Sequence, residues 1–175
     1  MNPNQAPIQA LLNGKPMMGL SVLDRGLSYG DGVFRTLPVI KGSPQSWNLH
    51  YKKLHHDCAA LNIGCPDASV LLDDIQSLFT NDTGVAKIII TRGESARGYG
   101  YPDDIQPNRV LIKSTSPQYP EDNFINGVKL HLCELHLSHQ PKLAGIKHLN
   151  RLENVMARHE WNDSGIADGL LMDEN

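Results

Sequence analysis

No apolar run in this 175-residue sequence approaches the length needed to cross a bilayer. The opening Met1-Asn2-Pro3-Asn4-Gln5-Ala6 has neither a charged n-region nor an apolar h-region. A cytoplasmic protein without a membrane partner is the expectation. Cysteine is scarce: Cys58, Cys65 and Cys133 are odd in number and lack zinc-type pairing, which argues against a disulfide framework or structural zinc. Charge of one sign is also lacking. A formal net charge of -3 and a pI near 6.2, with acids and bases interspersed, leave no basic footprint for nucleic acid and favour small-molecule chemistry. There is no G-x-S-x-G elbow and no H-E-x-x-H, so serine hydrolase and zincin readings lose their main support.

With 40% hydrophobic residues, the chain has enough apolar material for one ordinary domain or two small ones. Ile8 to Met18 reads as two short strands about Asn13-Gly14, and Thr36 to Ile40 with Ser43 to Trp47 reads as a second hairpin about Lys41-Gly42. Between them, Asp24 to Phe34 carries three glycines within seven positions, which marks a shaped segment. Asn48 can cap a helix with Tyr51, Leu54, Cys58 and Leu61 on its apolar side and His50, Lys53 and Asp57 as a neighbouring polar stripe. Pro66 and Asp67 open a second helix with Leu71, Leu72, Ile75, Leu78 and Phe79 inward. Val85 to Thr91 and Arg109 to Thr115 read as strands of one sheet. The two prolines of 116–122 mark a linker. Val128, Leu130 and Leu132 then alternate with polar neighbours as a half-buried strand, and Gly169 to Met172 reads as another. The expected class is α+β.

Several stretches could carry chemistry. Gly145 punctuates a loop, and Asn150 with Glu153 reads as a capping box opening a helix over 150–162, with Leu149, Leu152, Val155 and Met156 buried and Arg151, Arg158 and Glu160 facing water. Lys147 stands just before that helix. The residues alone leave it either a solvated loop lysine or an amine whose pKa burial lowers until it is a nucleophile and base. The glycine-rich loop 93–102 lacks both G-x-G-x-x-G and phosphate-loop spacing, but Arg92 and Arg97 could each grip a carboxylate, or else form surface ion pairs. His131, Cys133, His136 and His139 are metal-ligating types in a spacing that completes no familiar pattern, and no metal is expected.

Three motifs occur in order: Asp24-Arg25-Gly26 with Tyr29-Gly30-Asp31-Gly32-Val33-Phe34, Thr91-Arg92-Gly93 with Arg97-Gly98-Tyr99, and Gly145-Ile146-Lys147-His148-Leu149-Asn150-Arg151-Leu152-Glu153. Together they closely resemble the aminodeoxychorismate lyase family, among the fold type IV pyridoxal-phosphate enzymes that include branched-chain and D-amino acid aminotransferases. The resemblance implies a two-domain α+β architecture: an N-terminal domain over 1–116, a linker over 117–123, and the start of a cofactor-binding domain over 124–175. It implies that Lys147 carries pyridoxal 5'-phosphate and moves the proton, that 4-amino-4-deoxychorismate yields 4-aminobenzoate and pyruvate in folate biosynthesis, and that the enzyme is a homodimer. Arg97, Tyr99 and Tyr29 match positions bordering the substrate. The alternatives are an aminotransferase of the same fold type and a truncated non-enzymatic domain.

Two positions depart from the family pattern. Where the family places an arginine on the cofactor phosphate, this sequence has Lys53, which keeps the charge but loses the bidentate fork. Arg35 follows Phe34 where many relatives have glutamate, either adding a cation near an anionic substrate or changing the surface. Family chains also run on past Asp173-Glu174-Asn175 to a glutamate facing the pyridine nitrogen. A polypeptide ending at 175 is expected to bind cofactor poorly and turn over little substrate.

Overall fold

The computed structural model describes residues 9–174. These form two compact units, one running to Ser116 with the addition of Ile146–Leu149, the other made of Pro117–Gly145 and the chain from Asn150 onward. The four residues around Lys147 thus leave the second unit, whereas the expected partition kept all of 124–175 together.

The first unit is built on a six-stranded antiparallel sheet. Its strands are β1 (Gln9–Leu12), β2 (Lys15–Pro16), β3 (Gly32–Ile40), β4 (Ser43–Pro44), β5 (Gly84–Thr91) and β6 (Asn108–Ser114), in the order β2-β1-β6-β5-β3-β4. Both hairpins turn where the dipeptides suggest, with Asn13 and Gly14 at φ 52° and 81° and Lys41 and Gly42 at φ 49° and 75°. The first strand was expected from Ile8, which lies outside the described residues. Strand alternation sends Val33, Leu37 and Val39 of β3 and Ala86, Ile88 and Ile90 of β5 to one face. Against that face pack Leu54 and Cys58 of α2 (Trp47–Ala60) and Leu71, Ile75 and Phe79 of α3 (Ala68–Phe79), closing the main core.

The expected strand over Ser43 to Trp47 is shorter. Ser46 adopts a left-handed conformation, φ 51°, which turns the chain so that Trp47 already begins α2; Asn48 lies inside the helix and does not cap it. A short helix α1 (Arg25–Tyr29) precedes β3.

In the second unit, β7 (Lys129–Leu137) and β8 (Ile166–Asp173) pair in parallel. It also contains α4 (Asp122–Ile125), which begins inside the stretch read as linker, and α5 (Leu152–Arg158). Two expectations are overturned here. Leu130 and Leu132 are exposed, and it is Cys133 on the opposite face that is buried, because Ala157 and Trp161 pack on that side. Likewise Ala157 is the buried residue of α5, while Leu152, Val155 and Met156 are exposed. The capping box is not formed: Arg151 occupies the cap position and makes no side-chain capping bond, and the Glu153 carboxylate accepts the Ser138 N–H (3.1 Å) and hydroxyl (2.6 Å). Glu160 does not face water alone; it accepts the N–H groups of Glu134 and Leu135. No helix among the described residues is long and apolar enough to cross a membrane.

Phe79 is fully buried and Met18 is 98% exposed. Phe79→Ala is expected to lower unfolding free energy by about 3–5 kcal/mol in urea titration. Met18→Ala should stay within about 0.5 kcal/mol of the parent.

Candidate active site

The glycine-shaped segment is fastened at its start by Asp24. This buried carboxylate caps α1 through the Gly26 N–H (2.8 Å) and also accepts the Thr91 hydroxyl (2.7 Å) and the Asn108 amide (2.8 Å). Only glycine fits at 26, where a Cβ would lie 2.4 Å from Thr91 Cγ2. Gly30 then ends the helix at φ 66° and releases the chain into β3.

Arg25 follows the cap and is itself buried. Its Nε donates to Asp31 Oδ2 at 2.9 Å, and its remaining bonds go to the loop after β5: Ser95 Oγ and the carbonyls of Gly98, Tyr99 and Gly100. Arg92 donates to both oxygens of Asp31 at 2.8 and 3.0 Å and to the carbonyls of Leu61 and Asn62. The Tyr101 ring lies 3.9 Å from the Arg92 guanidinium and 5.5 Å from that of Arg25. Burial pushes the Asp31 carboxyl upward, but the two guanidinium groups outweigh it and hold the pKa below the ordinary carboxylate value.

Arg92 is therefore committed within the fold: of the two alternatives left open for it, a carboxylate grip or a surface ion pair, it makes an ion pair, in which Arg92 is buried. The other loop residues sit differently. Tyr99 and Arg97 are exposed, and the Tyr99 ring is 5.5 Å from that of Tyr29, whose hydroxyl accepts the Gly98 N–H at 3.1 Å. Tyr29 and Tyr99 thus adjoin, and exposed Arg97 belongs to the same loop, whose neighbouring carbonyls Arg25 holds.

Lys147 is not at a loop-to-helix junction. Its segment lies antiparallel along β3, bridging His148 to Val33, with the Phe34 N–H donating to the Lys147 carbonyl and the Leu149 N–H to that of Gly32, both at 2.9 Å. Gly32 allows this approach, since a Cβ there would meet Ile90 O at 2.5 Å and Leu149 Cδ1 at 2.7 Å. The Lys147 N–H goes to Asp57 Oδ2 on α2 at 3.2 Å, and its ammonium lies 5.0 Å from the Phe34 ring centroid. Half-buried Lys147 is thus held through both backbone polar groups.

Asp57, wholly buried, collects Arg35 Nη2 at 2.9 Å, Lys53 and the His56 ring at 3.2 Å. Arg35 is consequently no surface change. Burial raises the Asp57 pKa, and the hydrogen bonds from Lys53, His56 and the Lys147 N–H more than reverse it, leaving the carboxyl below its ordinary value. The sequence shows Arg25 and Asp31 only as parts of a motif and Asp57 only as part of a polar helix stripe, without a role for any of them.

The four metal-ligating types considered in the second unit do not converge as a set. His131 and Cys133 come together with Glu160, within 4.8 Å. Both Glu160 oxygens already accept backbone N–H groups, and Oε2 lies 3.0 Å from His131 Nε2. Hydrogen bonding explains that cluster.

A family model described as amino-transferase class IV matches residues 32–175. The chain belongs to the amino-transferase class IV family. It is 34% identical over 165 residues to an aminodeoxychorismate lyase of Vibrio harveyi, covering 92% of this chain and 60% of that protein. The crystal structure of 4-amino-4-deoxychorismate lyase from Pseudomonas aeruginosa superposes with a TM-score of 0.89 at 45% identity, covering 94% of this chain and 61% of that one. A D-alanine aminotransferase of Listeria innocua is 25% identical over 167 residues, covering 87% of this chain and 54% of that protein. The chain thus spans about 60% of the lyases it matches, and its class IV member fold is the fold type IV architecture.

Arg25→Ala removes every guanidinium bond to the 95–100 loop and leaves Asp31 short of one partner. It should cost about 3–5 kcal/mol of stability and speed tryptic cleavage after Arg97. An unchanged cleavage rate would contradict the loop assignment. Both Asp31 and Asp57 have folded pKa values below the ordinary 3.8. The stability they contribute is fully present above that value and is lost as pH falls through the lower folded values. Asp57→Asn should therefore flatten the acid limb of a stability-versus-pH curve measured below pH 4, roughly where carboxylates titrate.

Proposed function

We propose that this chain belongs to a pyridoxal-phosphate-dependent carbon-oxygen lyase converting 4-amino-4-deoxychorismate to 4-aminobenzoate and pyruvate, a step of folate biosynthesis. The observation that carries the reading is the identity gap: 34% and 45% to two aminodeoxychorismate lyases against 25% to a D-alanine aminotransferase. The residues present fit such a cofactor. Lys147 is fixed through its backbone while its amine projects over Phe34, and the Arg35 Nε–H nearby is buried with no partner among the described residues. Lys147 would hold the cofactor covalently and Lys53 would contribute charge toward its phosphate. When bound, pyridoxal phosphate supplies an electron sink for the carbon being deprotonated.

The remaining chemistry belongs to side chains. Displaced from the cofactor by the substrate's 4-amino group, the Lys147 amine would remove the proton at C4 of the substrate ring. Breaking the bond between the ring and the enolpyruvyl oxygen aromatises the ring, and Lys147 returns the proton to the methylene carbon of the departing fragment, giving pyruvate. Arg97, with Tyr99 and Tyr29 beside it, takes the substrate carboxylates on the loop that Arg25 shapes. We assign the enzyme a cytoplasmic setting and a homodimeric state, with neither nucleic acid nor membrane as partner.

Adding pyridoxal phosphate should give visible absorption that is lost in Lys147→Ala and kept in Lys52→Ala. Release of 4-aminobenzoate should fall by about 10²–10⁴-fold in Lys147→Ala, as expected for losing a general acid-base group. Faster keto-acid formation from an amino-acid donor than 4-aminobenzoate release from aminodeoxychorismate would replace the lyase reading with an aminotransferase.

A further inference from the structure

Two cations at positions 35 and 53 meet on one carboxylate. Arg35 comes from β3, in the row of residues that otherwise faces the core, and Lys53 comes from α2 one turn before Asp57. Arg35 Nη2 binds Asp57 Oδ2 at 2.9 Å, and Lys53 Nζ binds Oδ1. Two positive side chains thus share a single negative one, and Asp57 Oδ2 also accepts the Lys147 N–H. The cluster carries surplus positive charge beside the segment that bears Lys147.

The geometry of Arg35 is that of a half-used fork. Its side chain is 14% exposed. Asp57 fixes the guanidinium plane through Nη2, while the Nε–H is buried and has no partner among the described residues. A buried donor left this way is unfavourable unless another acceptor reaches it. His50, one turn before Lys53 on α2, lies within the field of both Arg35 and Lys147; burial first, and then these two charges, lower its pKa. Arg35, Lys53 and the Lys147 main chain therefore meet at one carboxylate of the first unit.

We propose that Arg35 and Lys53 together seat a phosphate group beside Lys147, Arg35 supplying the directional guanidinium donors that a lysine at 53 lacks and Asp57 holding both cations in position. The ligand class is a phosphate monoester dianion, and on the functional reading above, on which this rests, it is the phosphate of pyridoxal 5'-phosphate. A guanidinium binds such an oxyanion through a planar fork, whereas an ammonium acts as a point charge. The substitution of lysine for arginine on the helix is then offset from the neighbouring strand.

The test compares pyridoxal phosphate with pyridoxal, which keeps the aldehyde and lacks the phosphate, each titrated into the purified chain and trapped on Lys147 by borohydride for mass analysis. Arg35→Gln should weaken pyridoxal phosphate by about 10–100-fold, the scale of charge-assisted hydrogen bonds, and leave pyridoxal unchanged. Arg35→Lys, which keeps the charge for Asp57 but not the fork, should fall between. Equal weakening of both ligands would mean that Arg35 acts only by positioning Asp57 and Lys147, and would overturn the seat. No weakening of either would overturn it too.

A second measurement uses the unaltered chain. The side-chain Nε–H resonance of Arg35 in a ¹⁵N-labelled sample should shift on addition of inorganic phosphate, and absence of a shift counts against the seat. If neither aldehyde labels Lys147 while inorganic phosphate still moves that resonance, the cofactor reading fails and the anion seat stands.

Discussion

A carboxylate sealed from water must draw all its hydrogen bonds from protein, and Asp57 draws them from three separate parts of the chain. Arg35 reaches it from a strand, Lys53 and His56 from its own helix, and the Lys147 main chain from 90 positions further on. The bonds to charged donors outweigh the penalty of burial, so the group stays ionised. Its consequence is spatial: helix, strand and lysine-bearing segment are drawn to one point.

Asp31 plays a parallel part just before β3 begins, four residues ahead of Arg35. Held between Arg25 and Arg92, it ties the turn before the strand to the loop after β5. The loop's carbonyls point inward to a guanidinium, which frees its tyrosine and arginine side chains to face outward. An arginine with several fixed donors can organise an irregular loop in a way that apolar packing cannot, because each donor specifies a direction. The same strand thus links both carboxylate knots.

How much of this was legible beforehand depends on the range of the determining interaction. The two tight turns were readable because Asn13-Gly14 and Lys41-Gly42 favour positive φ locally. The inner faces of α2 and α3 were readable from periodicity apart from Leu72, since a broad sheet awaits them. The faces of β7 and α5 were not, because alternation fixes that two faces differ and leaves tertiary partners to choose between them. Asn150 and Glu153 matched a capping box by spacing, yet Ser138 offered Glu153 two donors. Around the candidate site, a specific motif singled out Lys147, and the four-residue spacing of Lys53 and Asp57 was visible on the helix, while the arrival of Arg35 from the strand had no local signature.

The placement of Lys147 also bears on the order in which the molecule assembles. β4 covers only Val39 and Ile40 of the β3 edge, and the 146–149 segment pairs near its beginning. During synthesis, the sheet and its helices emerge long before that segment does, so the start of β3 is an open edge able to pair with other chains. Asp57 waits through the same interval for the Lys147 N–H. Docking of the lysine segment is therefore a late, non-local event, and the residue with the sharpest chemical assignment is delivered to an already formed sheet.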